Sequence, residues 1–324
     1  MKIVTFNVLC PKLCHPNQFL NYEADFLDEK KRIEKIKSFL IDWINDEYII
    51  LLQEVPISYR GNFECLFNEN NYYLACSSYG NDYADNMGIA IAFPKNRFTL
   101  KDIDYIRVGS LIEKKQIYKP TGFLEKIYWR IYSTNFVKYF VKDEQAEINE
   151  TYNIATYRKN IVIVVNLLEI ETDKTFTVLN YHMPCTFNNP NIQLLHIQAL
   201  KKIASRSKYP KIISGDFNIT PSSDLYQYLI GNIPSNNSFL QDAKNVFQKY
   251  DSAYKFANDQ EPEFTIYSNT KFGGLFKNTL DYIFLSDRQW KIINSKKYIE
   301  TNTIMPNEIC PSDHIPILAE IEII

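Results

Sequence analysis

Short runs of β-branched and aromatic residues recur along the chain, and most of them end at residues that favour turns. Runs of this length and composition are typical of strands. Several are apolar at consecutive positions, so we expect both faces of these strands to be buried. The runs interpreted as strands are Ile3–Val8, Tyr48–Leu52, Gly88–Phe93, Ile161–Leu167, Phe176–Tyr181, Lys211–Gly215, Leu280–Leu285 and Ile315–Ile323.

Helical periodicity is found between some of these strands. Within Arg32–Ile44 and Ile192–Ala204 apolar residues recur at steps of three and four, and Asp224–Ile230 follows a Pro-Ser-Ser turn. Strands dominate and strict βαβ alternation is absent. We therefore predict an α/β fold over residues 1–324, with two mixed, mostly antiparallel sheets packed face to face and helices outside, in one domain.

Composition and charge exclude several classes of protein. Hydrophobic residues make up 45% and charged residues 23% of the chain, which excludes global disorder. No apolar stretch reaches the roughly 18 residues of a membrane span, and the N-terminus lacks a signal-peptide core, so we expect a cytoplasmic or nuclear protein without a membrane. A net charge of −2 excludes nucleic-acid binding by bulk positive charge. The six cysteines form no CxxC motif and are interpreted as reduced thiols.

Residues 113–142 differ from their surroundings because lysines and arginines alternate there with aromatic residues. Such a composition suits single-stranded nucleic acid, since aromatic rings stack on bases and cations follow phosphates. An amphipathic hairpin or helix with a solvated basic face accounts for it equally simply. A second basic run, from Lys201 to Lys211, is interpreted as a solvated helix end and loop.

Polar residues stand repeatedly at the ends of the predicted strands, where function tends to be located. Taken singly, each is a turn cap, a surface charge or a structural histidine. Together they predict one convergent site. Its members are Asn7, Glu54, His182, Asp216, Asn218, Asp281, Asp313 and His314.

The predicted site is rich in oxygen and contains no paired cysteines. Carboxylates and amides favour Mg²⁺, or Mn²⁺ in its place, over structural zinc. A histidine paired with an aspartate can orient or activate a water molecule. Hydrolysis of a phosphate ester needs a metal on a non-bridging oxygen and hydrogen-bond donors aimed at the developing charge. This set of residues could bind the metal and provide the donors.

Six blocks of sequence extend this prediction. In chain order they are TFNVLC, LLQEV, NYHMP, SGDFN, TLDYIF and SDH, and they run from Asn7 to His314. They resemble the signature blocks of the endonuclease/exonuclease/phosphatase superfamily. The resemblance implies the DNase I-like four-layer α/β sandwich.

Longer segments resemble the CCR4/nocturnin/Angel-like deadenylase branch of that superfamily. GDFNITPSSDLYQYL is similar to the GDFN-x-x-P-x-S-x-x-Y-x-x-L segment of CCR4-type deadenylases. SAYKFANDQEPEFTIYS and NMGIAIAF are similar to other segments of that group. The resemblance implies a Mg²⁺-dependent 3′-to-5′ exoribonuclease of poly(A)-deadenylase type, whose substrate is the 3′ end of single-stranded RNA.

The same resemblance implies a role for each residue of the site. Glu54 would be the principal Mg²⁺ ligand with Asn7 beside it, and Asp216 and Asp313 would complete the metal region. Asp216 and Asn218 would position the attacking water and contact the metal-bound phosphate. His182 and His314 would contact the phosphate, with Asp281 paired to His314. Phe276 would stack on the substrate base.

Some features depart from the branch or leave alternatives open. The sequence begins at the first catalytic strand, and we expect no leucine-rich repeats of the kind that tether CCR4-type enzymes. MPCTFNNPN follows His182 where the group commonly has a leucine and an aromatic residue. Residues 113–142 are interpreted as an insertion or a diverged segment. DNA phosphodiesterases and phosphatases acting on a small phosphoester remain alternatives, a non-catalytic binding module is a third, and we expect a monomer.

Overall fold

In a computed structural model of the chain, the structure describes residues 1–80, 84–113, 144–232, 239 and 248–324. The basic and aromatic segment 113–142 lies, apart from its first residue, outside the described residues, and its role stays a prediction. Among the helices of the described part, none is long and apolar enough to cross a bilayer.

The first sheet has six strands in the described part of the chain, in the order β13-β14-β1-β2-β4-β3. Only β1 and β2 are parallel; the other neighbours are antiparallel. The strands are β1 (Lys2–Asn7), β2 (Ile49–Val55), β3 (Tyr72–Cys76), β4 (Gly88–Pro94), β13 (Trp290–Lys297) and β14 (Ile317–Ile323).

The second sheet also has six strands in the described part, in the order β5-β6-β7-β8-β12-β9, and only β7 and β8 are parallel. A separate hairpin lies beside the sheets. The strands of the sheet are β5 (Phe98–Arg107), β6 (Ile161–Glu169), β7 (Lys174–Tyr181), β8 (Lys211–Asp216), β9 (Tyr250–Ser252) and β12 (Asp281–Ser286). The hairpin consists of β10 (Ile266–Thr270) and β11 (Gly274–Asn278).

The two sheets pack face to face, and helices cover their outer faces. Ile3 and Ile49 of one sheet share a core with Ile212 and Ile283 of the other. The helices Glu29–Asn45 and Ile57–Glu69 pack on the first sheet, and Glu144–Tyr157, Pro190–Ala204 and Asp224–Ile230 pack on the second. Shorter helices are Ala24–Leu27, Val108–Leu111 and Ala253–Asn258. The four-layer α/β sandwich predicted from the sequence is confirmed.

Strand β1 shows why the central strands are apolar throughout. Ile3 lies in the core between the sheets, whereas Val4 and Phe6 lie under the outer helices, because successive side chains of a strand point to opposite faces. The helix over β1 begins at Glu29, since the side chain of Asp28 accepts a hydrogen bond from Lys31 N at 2.9 Å.

Buried amides join the two sheets directly beneath the predicted site. Gln53 of β2 donates to Oδ1 of Asn180 on β7 at 2.8 Å. Asn180 in turn donates to the carbonyls of Leu52 and Ala90 at 3.0 and 2.8 Å. Gln53 precedes Glu54, and Asn180 lies two residues before His182. These hydrogen bonds therefore fix the separation of the two sheets where their functional side chains emerge.

Two residues of the second basic run, Lys201 and Lys211, are buried, which differs from their predicted solvated position. Lys201 is only 3% exposed, and its amine donates to the carbonyls of Tyr228 and Leu229 at 3.0 and 3.3 Å. It satisfies the last carbonyls of the helix Asp224–Ile230 rather than facing solvent. A contact with a helix more than twenty residues away is not visible in the local charge pattern.

Candidate active site

A β-bulge delivers Glu54 to the site. The ladder between β2 and β4 shifts register between Gln53 and Val55, and Glu54 has a φ of 56°. A bulge turns the extra residue out of the ladder, so the carboxylate leaves the row of buried side chains on β2. Its Oε2 accepts a hydrogen bond from Cys10 N at 2.9 Å.

Asn7 joins carboxylates from the two sheets. It is the last residue of β1, and its Nδ2 donates to Glu54 Oε1 at 3.1 Å and to Asp216 Oδ2 at 3.0 Å. Its Oδ1 accepts from Leu9 N at 3.0 Å. In this arrangement Asn7 presents its amide nitrogen to the carboxylates, and its predicted role as a metal ligand stays a prediction.

The Gly-Asp-Phe-Asn turn after β8 holds Asp216 and Asn218. Gly215 has a φ of 139°, and a Cβ there would lie 1.9 Å from the carbonyl oxygen of Tyr181, so the close approach of β7 and β8 requires glycine. Asp216 Oδ1 accepts from Asn218 N at 2.9 Å. The side chain of Asn218 donates to Met183 O at 2.9 Å, which ties the turn to the segment after His182.

His182 lies between a phenol and a carboxylate. Its Nε2 is 3.4 Å from Asp216 Oδ2, and its Nδ1 is 2.5 Å from the hydroxyl of Tyr79. The carbonyl of His182 accepts from Asn160 Nδ2 at 2.8 Å, which fixes the backbone where β7 ends. Burial raises the pKa of Tyr79 well above its ordinary value, so this hydroxyl keeps its proton.

His314 is oriented by Asp281 and Thr265. His314 Nδ1 is 2.7 Å from Asp281 Oδ2, and the same oxygen accepts from Thr265 Oγ1 at 2.6 Å. The opposite nitrogen, Nε2, lies 3.9 Å from Asp216 Oδ2 and 4.0 Å from Asp313 Oδ1. Burial lowers the pKa of His314, but the negative carboxylates of Asp281 and Asp313 outweigh it, and its pKa lies well above the ordinary range.

Buried acids crowd the centre of the site. Burial raises the pKa of Asp216 against the opposing effect of His182 and His314, and burial raises the pKa of Asp313 to about 6. Among the described residues their ion-pair partners are histidines, and Oδ1 of Asp281 is buried without a hydrogen-bond partner. Ligand atoms of Asp216, Asp281 and His314 all lie within 4.8 Å of one another. Oxygen-rich ligands with excess negative charge fit a hard divalent cation.

One cavity of about 660 Å³ collects these groups. Tyr157, Arg158 and Lys159 also line the cavity, so its lining combines acidic with cationic side chains. Asn7 and Asp281 are not among the lining residues. Asn7 is hydrogen-bonded to the lining residue Asp216, and Asp281 to the lining residue His314. The predicted residues that line the cavity are Glu54, His182, Asp216, Asn218, Asp313 and His314.

Residues 4–314 match the sequence model of the Endonuclease/Exonuclease/phosphatase family. The chain belongs to that family. The sequence-based prediction of the superfamily is confirmed, and the prediction of a hydrolase acting on phosphoester bonds is confirmed at the level of the family. Family membership and the cluster of Asp216, Asp281 and His314 support a divalent metal without identifying the ion.

Individual relatives are distant. The CCR4-Not complex 3′-5′-exoribonuclease subunit Ccr4 of Kluyveromyces lactis is 23% identical over 360 residues, covering 99% of this chain and 41% of the relative. The chain spans less than half of the length of the first curated relatives that it matches.

Solved structures of the family share the fold. The human Nocturnin catalytic domain with bound sulfate has a TM-score of 0.64 at 19% identity, covering 100% of this chain and 94% of that one. ANGEL2, described as a 2′,3′-cyclic phosphatase, has a TM-score of 0.68 at 19% identity, covering 99% and 95%. At this identity the likeness shows the family fold alone.

Phe276 lies on the hairpin beside the cavity. Ile266 of β10 lines the cavity and forms an isolated bridge with His314. Ser268 pairs with Phe276 two residues further along β10, and paired residues share a face, so Phe276 is on the cavity side of the hairpin. Its ring centroid is 5.9 Å from that of Phe187, from the segment after His182. Its role as a base-stacking residue stays a prediction.

Three residues that contact or position the predicted site residues were not predicted from the sequence. Thr265 lies in the segment SAYKFANDQEPEFTIYS, but the resemblance implied no role for it. Arg32 is 2% exposed and donates to the carbonyls of Val8, Leu9 and Pro311 at 2.8, 2.6 and 2.6 Å, so it ties the segment after Asn7 to the segment before Asp313. Its position in the apolar stripe of a helix was the available signal. Tyr79 gave no signal in the sequence.

Proposed function

We propose that the chain is a Mg²⁺-dependent 3′-to-5′ exoribonuclease of poly(A)-deadenylase type. The observation that carries the proposal is the convergence of Glu54, His182, Asp216 and His314 on one cavity. The relation to the Ccr4 exoribonuclease subunit and the CCR4-like segments around Asp216 and Asp281 support RNA as the substrate.

The residues that would hold Mg²⁺ are Glu54, Asp216 and Asp313, with Asn7 bridging the first two. Bound Mg²⁺ would polarise a non-bridging phosphate oxygen and stabilise the leaving oxygen. Buried carboxylates with raised pKa values support this assignment, because a cation compensates their burial.

Asp216 and Asn218 are placed to orient the attacking water. Asp216 Oδ1 is held by Asn218 N, and Asp216 Oδ2 lies among Asn7, His182 and His314. A carboxylate held in this way accepts a hydrogen bond from a water molecule. It thereby directs a lone pair of the water oxygen at phosphorus, in line with the leaving oxygen.

His182 and His314 are placed to receive the phosphate. Their Nε2 atoms lie 3.4 and 3.9 Å from Asp216 Oδ2, and both histidines line the cavity. Asp281 accepts from the far side of His314, which directs Nε2–H inward. Donors fixed before the reaction stabilise the charge that develops on the phosphate in the transition state.

The outer parts of the cavity suit a single-stranded 3′ end. Arg158 and Lys159 line the same cavity as the acids and offer positive charge to the next phosphate. Phe276 and Phe187 form an aromatic pair on the hairpin side, where a terminal base can stack.

The test is cleavage of 5′-labelled RNA that ends in an adenosine tail, compared with uridine and cytidine tails and with DNA. We expect shortening in Mg²⁺ that EDTA abolishes and that is fastest on adenosine. Shortening at equal rates on all RNA tails would keep the exoribonuclease and remove the deadenylase assignment. Removal of a terminal phosphate without shortening would instead indicate a phosphatase.

A further inference from the structure

Tyr79 occupies a rigidly held position next to the site. Its amide and that of Gly80 donate to Met87 O at 3.0 and 2.9 Å, just before β4. A Cβ on Gly88 would lie 1.6 Å from Ser77 O, so the segment that carries Tyr79 packs against β4 at a distance only glycine permits. Arg60 Nη2 also donates to Ser78 Oγ at 2.6 Å. The backbone that carries Tyr79 is therefore anchored independently of His182.

The surroundings of Tyr79 and His182 favour one direction for the hydrogen bond between them. Tyr79 is 9% exposed and lies near the carboxylates of Glu54 and Asp216, so a phenolate there is unfavourable and the oxygen carries its proton. Nε2 of His182 faces Asp216 Oδ2, a carboxylate oxygen that accepts hydrogen bonds. The arrangement that satisfies both neighbours has Tyr79 O–H donating to Nδ1 and Nε2–H directed at Asp216.

This direction determines what His182 can do. With Nδ1 occupied as an acceptor, the ring proton is on Nε2, on the side of the ring that faces Asp216. In this form it is a hydrogen-bond donor, and it has no free lone pair with which to take a proton from water. The edge-to-face contact of the two rings, with centroids 5.8 Å apart at 83°, holds the ring plane in the same orientation.

We propose that Tyr79 is a positioning residue that holds His182 with its ring proton on Nε2, so that His182 donates to the substrate phosphate and does not act as a base. The donation to phosphate rests on the proposed function. The tautomer does not, because it follows from contacts within the chain.

The first test is a nitrogen-15 NMR measurement of the full chain with Mg²⁺ at neutral pH. The chain has four histidines, so His182 can be assigned by comparison with the His182→Asn variant. We expect a protonated Nε2 and an unprotonated Nδ1 in the wild type, and loss of this pattern in Tyr79→Phe. A protonated Nδ1 in the wild type, or a pattern unchanged in Tyr79→Phe, would overturn the proposal whether or not RNA is hydrolysed.

The second test measures hydrolysis of RNA by the same variants. Tyr79→Phe should lower kcat about tenfold, the effect of one typical hydrogen bond, with KM nearly unchanged. The matched control is Tyr59→Phe, since the Tyr59 hydroxyl is buried without a hydrogen-bond partner among the described residues, and its kcat should equal the wild type.

A double-mutant cycle separates positioning from general packing. If Tyr79 acts through His182, Tyr79→Phe should have no further effect on kcat in the His182→Asn background. An equal tenfold loss in both backgrounds would show that Tyr79 acts elsewhere and would refute the proposal. A wild type that hydrolyses no RNA would refute the proposed function, and the NMR result would then decide the tautomer alone.

Discussion

The amide nitrogen of Asn7 lies 3.0 Å from Oδ2 of Asp216 and so bonds the end of β1 in one sheet to the end of β8 in the other. The site is therefore built across the seam between the two sheets. Gln53 and Asn180 hold the same seam one layer below. Because each sheet contributes groups that must meet, the geometry of the site depends on how the sheets are packed as well as on each strand end.

Asp216→Asn should abolish turnover and leave the fold intact. The substitution preserves the shape of the side chain but removes the charge that would orient water, and general-base contributions are typically about 10²–10⁴-fold. Because burial already raises the pKa of this carboxyl, the free energy of unfolding should be unchanged or higher. Steady-state kinetics and urea unfolding check both statements, with Asp251→Asn, on β9, as the control. Turnover like that of the wild type would contradict the assignment.

Thr265→Val should damage catalysis through Asp281. The hydroxyl donates to Asp281 Oδ2 at 2.6 Å and accepts from the backbone of Leu280 and Asp281 at 2.9 and 3.1 Å. Leaving these buried groups unpaired costs about 1–3 kcal/mol of stability. We expect a lower melting temperature and a lower kcat, and Thr265→Ser, which keeps the hydroxyl, should recover most of both. A serine variant as impaired as valine would point to the methyl group instead.

Mg²⁺ should stabilise the chain, and Glu54 should carry much of that effect. A ligand that binds only the folded state at a hundred times its Kd adds about 2.7 kcal/mol to the free energy of unfolding. Thermal unfolding with and without Mg²⁺ measures this. The shift should be reduced in Glu54→Gln and unchanged in Glu64→Gln, an exposed residue of the helix Ile57–Glu69. An equal shift in all three proteins would remove Glu54 from the metal site.

Phe276→Ala should weaken base discrimination more than phosphate chemistry. A stacked base is worth about 1–3 kcal/mol, so the preference for an adenosine tail should fall while the slowest tails change little. Competition between labelled tails measures the preference. Leu275→Ala is the matched control, because Leu275 is 66% exposed on the other face of the hairpin. Equal losses on every base would assign Phe276 to packing against Phe187.

His196 should make the fold sensitive to acid. Burial lowers the pKa of His196 from 6.5 to about 4 in the folded chain. Between these values the unfolded chain binds the proton and the folded chain does not, so stability falls as the pH falls from 6.5 to about 4, by about 3 kcal/mol.

Urea unfolding across this pH range checks the His196 prediction. The free energy of unfolding should depend less steeply on pH in His196→Phe, because phenylalanine cannot titrate. That variant also leaves Tyr181 O–H and Ala155 O without their histidine partner, so its absolute stability is expected to be lower at every pH. An unchanged slope would show that other groups cause the acid sensitivity.

Central strands were predictable from the sequence, whereas edge strands were not. β1, β2, β7 and β8 are buried on both faces over most of their length, and each contains consecutive apolar residues. β5 and β13 lie at the sheet edges and carry exposed charged residues, which protect an edge from further pairing but hide the strand pattern. The helix Ile57–Glu69 was not predicted either, and it contains Gly61 in its first turns.

The same distinction applies to the site. Polar residues at strand ends break an apolar pattern, so Asn7, Asp216 and Asp281 were visible in the sequence. Tyr79, the partner of His182, and Thr265, the partner of Asp281, lie in segments without such a pattern. Their roles depend on contacts with residues 103 and 16 positions away. Local sequence therefore predicts which groups take part, whereas long-range packing determines how each one is oriented.

The central claim is that the acids of this cavity hydrolyse RNA from its 3′ end. A time course on 5′-labelled RNA with an adenosine tail, with Mg²⁺, tests it most directly when wild type and Asp216→Asn are compared on tails with free and blocked 3′ ends. We predict a ladder that shortens progressively from the free 3′ end with the wild type, protection by the block, and intact RNA with Asp216→Asn. Internal cuts, shortening of blocked tails, or the same ladder with Asp216→Asn would contradict the account.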